Sequence, residues 1–188
     1  MRGWRRADPG SAGSAHSTRP VSQGRPALPA AATAALGLGR GERVLAVAGS
    51  GAGWLVATGH RFGQLDGDAG VRWLRPWHEV DSASWSRAAD ALTLTFVDSR
   101  RPVELPVDAD ATFLQVVRER VQASVVVSLD LPLDPPRRAR AALRQDLATG
   151  AIVEQLVLGR GTLDSPEVAA AAAVAFARLR DDVGIPPR

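Results

Sequence analysis

Apolar and polar positions alternate with a period of two through the middle of the chain, then shift to a period near 3.6. "RVLAVAG", from Arg43, is a short apolar run closed by glycine, as a buried strand is. "GWLVATGHRFGQLD" continues as strand, and "GDAG" supplies a turn. "VRWL" and "HEVDSASWSR" are further strands, separated by Pro76, which cannot donate to a ladder and marks a bend. In "ADALTLTFVD" Leu92, Leu94 and Phe96 share one face, with Thr93, Thr95 and Val97 on the other. "VELPV" alternates again after the "SRRP" turn. Short strands with turn signals at this spacing predict an antiparallel sandwich or barrel.

The period changes at "DADATFLQVVRERVQASV". Asp108 or Asp110 is placed to cap a helix, and Phe113, Val117 and Val121 recur at i, i+4, i+8 with Leu114 beside them. That stripe must be buried, and the open end of the sheet is the available surface. "SVVVSLDLPL" predicts another strand, and "RARAALRQDL" with "AIVEQLVLG" predicts a hairpin closed at Ala148-Thr149-Gly150. The last helix is fully signalled: Ser165 as N-cap, Pro166 in the first turn, Gly184 as the stop and Pro186 beyond it. Its stripe, Val168, Ala172, Phe176, Leu179 and Val183, is expected to pack on the hairpin.

Composition adds limits. The 188 residues are 45 % hydrophobic, enough for a core, and lack cysteine, which excludes disulfides and thiolate chemistry. No apolar run reaches the ~20 residues of a membrane span. All 23 basic residues are Arg, and residues 1–40 hold six of them against one Asp. Residues 41–188 hold 17 Arg against 19 carboxylates, so the folded part is mildly acidic, which argues against a nucleic-acid-binding core. Residues 1–40 are Gly, Ser, Pro and Arg-rich and are read as a disordered tail. Their acid-poor, Arg- and Ser-rich texture is shared with transit peptides, but a floppy tail or over-extended start is the simpler reading.

"GWLVATGHRFGQL", "LRPWHEVDSASW", "LTLTFVD" and the "FLQVVRERV" helix together resemble the bacterial pleckstrin-homology (PH)-like domains found in actinobacterial proteins. The resemblance covers residues 42–127. It implies an α+β fold: a strongly bent antiparallel β-barrel capped at one end by a helix, over residues 41–124. Residues 125–188 would then be an extension of strands and a helix packed on that barrel. The motifs concerned are packing motifs and carry fold further than function.

Candidate chemistry is sparse. Trp54, Trp73, Trp77 and Trp85 sit on strands or strand ends and are expected in the core. His60 and His78 are candidates for a metal pair or acid–base unit, but no compact ligand spacing joins them to Asp66, Asp68 or Glu79. "DGDAG" starts like a calcium loop, yet Gly70 and Trp77 stand where ligands are required, so it is read as a hairpin turn. "GSGAGW" follows a strand but leads into a strand, without the helix N-terminus a pyrophosphate needs. Lipid-binding PH domains present Lys and Arg around the first strand loop, whereas "GSGAG" has none, with Arg43 before it and Arg61 after. No G-x-S-x-G elbow surrounds any serine.

The sequence therefore predicts a non-catalytic PH-like binding or adaptor module in the cytoplasm, with a protein or peptide partner, no nucleic acid and no cofactor or metal. Arg61, His60, Trp77 and His78 are the ligand-binding candidates. A membrane-surface module using the Arg-rich tail is the second reading, and a small hydrolase-type enzyme the third.

Overall fold

The computed structural model describes residues 27–99 and 101–186. Strand pairing follows the alternation. β1 (Val44–Ser50), β2 (Gly53–Thr58), β3 (Arg61–Leu65) and β4 (Val71–Pro76) form one antiparallel meander. Pro76 ends β4, and a single 3-10 turn, Trp77–Glu79, redirects the chain. β5 (Val80–Ser86), β6 (Ala91–Phe96) and β7 (Val103–Pro106) form a second meander. Then α2 (Ala111–Ala123) leads into a third sheet of β8 (Val125–Asp130), β9 (Ala139–Gln145) and β10 (Ile152–Leu158), followed by α3 (Pro166–Val183). The fold is α+β with three antiparallel sheets and a C-terminal helix.

The first two sheets enclose one core. Phe62 stacks on Trp77 with centroids 5.0 Å apart and planes 13° apart, and Trp73 meets both Phe62 and Phe96 edge-on at 5.6 Å. α2 lays Phe113 and Val117 onto Leu55, Ala57, Leu92 and Leu94. Asp110, not Asp108, caps it, accepting the Phe113 N–H at 2.6 Å. Arg75 lies 4.5 Å over the Phe96 ring and binds Asp98 in a fork at 2.8 Å, tying β4 to the turn after β6. No closed barrel ladder is found among the described residues. β1 touches the end of β7 through an isolated bridge, Gly49 to Asp108, and the Ser50 hydroxyl donates to Pro106 O at 2.8 Å. β7 is only four residues long, with Pro106 as its last, and the 3-10 turn parts β4 from β5, so neither seam can zip.

The extension has its own core. Ala139, Ala141 and Leu143 of β9 pack on Val168, Ala172, Ala175 and Leu179 of α3. Ser165 caps α3 and Gly184 ends it at φ 71° in the left-handed region. The N-terminal tail expected over residues 1–40 is shorter at its C-terminal end. α1 (Ala30–Ala35) and Leu36 bury Ala32 and Leu36 against Val56 and Leu65 on the outer face of the first sheet. Two well-placed apolar side chains suffice there, despite the Gly- and Pro-rich surroundings. Residues 1–26, the rest of that expected tail, lie outside the described residues.

Candidate functional site

The sequence candidates occupy the β2–β3 hairpin and the 3-10 turn, and they serve the fold. Trp77 is fully buried, and its indole N–H donates to Thr58 O at 3.0 Å. Arg61 forks onto Glu42 at 2.9 and 2.6 Å and reaches the Leu36 and Gly37 carbonyls, both at 3.1 Å. The Thr58 hydroxyl lies 2.6 Å from the same Glu42 carboxylate and accepts the Arg61 N–H at 2.8 Å. Burial alone would raise the Glu42 carboxyl, but Arg61, Thr58 and the Gly39 N–H all bind the ionised form and hold it at about 2. Arg61 is thus spent on joining α1 to the first sheet.

His60 and His78 do come near one carboxylate. His78 Nδ1 is 4.0 Å from Asp146, and both imidazoles favour its ionised form. Burial acts against that, yet the Ala148 N–H and Thr149 hydroxyl outweigh it, so Asp146 sits below the usual carboxylate range. Neither histidine lines either of two hollows, of about 190 and 440 Å³. Among the described residues no group of three His, Asp or Glu could hold a metal ion, and no helix is long and apolar enough to cross a membrane.

A buried cation welds the extension to the first core. Arg144, on the face of β9 turned away from α3, donates to Val80 O at 3.0 Å, Ser124 Oγ at 3.1 Å, Asp81 O at 3.2 Å and Asp81 Oδ1 at 3.1 Å. Arg140, four residues before it on the same face of β9, also binds Asp81. Burial pulls the Arg144 guanidinium below its ordinary value and Arg140 adds to that, against the attraction of Asp81. Arginine nevertheless stays charged in proteins, so Asp81 is consumed as its counter-ion.

The residues that make a surface lie elsewhere. A groove of about 440 Å³ runs between β5 and α2. Ala83 and Trp85 form one wall, Leu114, Val117, Arg118, Val121 and Gln122 the other, and Leu92 the floor. β5 is the end strand of its sheet: Ser82, Ser84 and Ser86 point out to solvent while Ala83 and Trp85 turn inward. Arg144 caps the Val80 and Asp81 carbonyls, so the stretch from Ser82 to Ser86 is the open part of this edge. The Trp85 indole N–H and the Arg118 guanidinium have no partner among the described residues. Asp81, the one carboxylate in the lining, is already paired. The groove offers apolar walls and unpaired donors.

No protein-family model matches this chain, and no curated protein matches it. Sequence reading missed the groove because its walls lie about thirty residues apart. The legible signal was Trp85 set among serines in "DSASWSR", an aromatic on a strand whose other face is wholly polar.

Proposed function

We propose that the chain is a non-catalytic binding module whose first two sheets and α2 form a PH-like domain, and that the β5–α2 groove takes an extended peptide. Support for the architecture comes from the four-strand and three-strand meanders and from α2 packing against the core they share. The single observation that carries the function is the open β5 edge beside an apolar trough. A strand added there would gain main-chain hydrogen bonds from β5 and place alternate side chains between Trp85 and Leu114. The unpaired donors favour a peptide that alternates aliphatic residues with Asp or Glu, the carboxylate meeting Arg118. Neither His60 nor His78 lines the two hollows described above, so these hollows lend the enzyme reading no support. Five of the six arginines behind the membrane-surface reading, those before Arg40, fall outside the described residues.

The experiment is selection of a random peptide phage library on the full chain. The expected consensus is extended, aliphatic and acidic. An Arg118→Glu variant should weaken those peptides by roughly tenfold or more, the size of one charge-assisted contact. A library that yields no binder, or binders indifferent to Arg118→Glu, contradicts the reading.

A further inference from the structure

Edges of β-sheets are normally protected against pairing with other chains by bulges, prolines, charges or short length. Four of the six sheet edges in this protein follow that practice, and a fifth, β5, follows it only in part. β1 is bulged between Val44 and Ala46 and bridged at Gly49. β4 carries Arg72, Arg75 and Pro76. β5 is bulged at Val80–Ser82 and capped by Arg144 at its start alone, which leaves Ser82–Ser86 open beside the groove. β7 has four residues and ends in Pro106. β8 is bulged between Val125 and Val127, and Pro132 follows it.

β10 has none of these devices. All seven residues, Ile152 to Leu158, pair with β9 in unbroken register, and no strand lies on the other side among the described residues. The segment contains no proline, and its one charge, Glu154, is held by Arg180 of α3. α3 rests on β9 and β8. Ile152, Leu156 and Leu158 on one face of β10, and Val153 and Val157 on the other, are left half-buried. At the centre, Gln155 Oε1 is buried with no donor.

We infer that β10 is a homodimer edge, pairing antiparallel with β10 of a second copy about a twofold axis through Gln155 to make one six-stranded sheet. Three properties of the sequence select a second copy as occupant. An axis perpendicular to the sheet pairs residues of the same face, and only centring on Gln155 uses all seven residues. In that register Val153 meets the other copy's Val157, Ile152 meets its Leu158, Glu154 meets its Leu156, and each Gln155 faces its twin. Centring on Glu154 instead would oppose two carboxylates. Charge also matches end to end: Arg160, just beyond β10 and without an ion-pair partner among the described residues, arrives at the turn that carries Asp146.

The absence of cysteine makes the test specific to register. Light scattering of the full chain should give twice the 19.8 kDa mass. A Gln155→Cys variant should form a disulfide-linked dimer under mild oxidation, because residues opposed at the axis lie ~4.5–5.5 Å apart at Cα, inside disulfide reach. A Ser128→Cys variant, on the edge of β8, should not. Val153→Lys with Val157→Lys should halve the mass while the circular dichroism spectrum is kept. The cross-linking arm stands even where the double variant fails to fold. A monomeric full chain, or a cross-link that forms at Ser128→Cys and not at Gln155→Cys, overturns the inference.

Discussion

Single side chains divide into those that hold the fold and those left with unused capacity. Trp77 belongs to the first group. Burying a ring of ~150–250 Å² contributes roughly 4–6 kcal/mol at ~25 cal/mol per Å². Trp77→Ala should therefore cost about 3–5 kcal/mol, the usual range for large-to-small core changes, read as a lowered urea midpoint. Glu42 belongs there too, and its effect depends on pH. Its folded value of about 2 lies below the ordinary 4.5, so its stabilisation is present above pH 4.5 and drains away as pH falls toward 2. Glu42→Gln should flatten that acid-side loss of melting temperature. A variant whose acid limb matches the native chain would show that the Arg61 fork does not hold α1. Trp85 and Arg118 belong to the second group, with donors that nothing in the described chain uses.

At the level of elements, what was legible depended on how local the signal was. α3 was readable end to end, because Ser165, Pro166, Gly184 and the apolar stripe lie within one window. Ser165→Ala should cost about 1 kcal/mol through the lost Val168 cap, measured by thermal melting. The strands between Val44 and Pro106 were readable from alternation, whereas closure of the barrel was not, since it depends on how Pro76 and the 3-10 turn separate β4 from β5. α1 went unread because six residues carry too little periodicity. The role of the β9 arginines was not legible either. Arg140 and Arg144 have the spacing of a solvent-facing strand side, yet that side lies against β5. The seam makes an asymmetric prediction. Asp81→Ala should cost about 3–5 kcal/mol by stranding a buried guanidinium, while Arg144→Met with Asp81→Asn should cost much less. Denaturant titration of both distinguishes a buried ion pair from mere packing.

In the whole molecule the two larger cores meet at a seam held by the buried Arg144, a smaller one lies under α1, and the free capacity is on two sheet edges. β5 borders a groove with apolar walls and unpaired donors, and β10 is unprotected and self-complementary. The sequence candidates His60, Arg61, Trp77 and His78 drew notice by residue type, but three of them have their polar atoms committed to or facing groups of the chain itself. The groove was invisible in one dimension, as Ala83 and Trp85 meet Leu114 and Val121 only once α2 folds back over β5. The most direct test of the binding reading is amide chemical-shift mapping of the full chain with a selected aliphatic–acidic peptide. The account predicts shifts concentrated in Ser82–Ser86 and Leu114–Gln122, and shifts centred on the β2–β3 hairpin and His78 instead would contradict it.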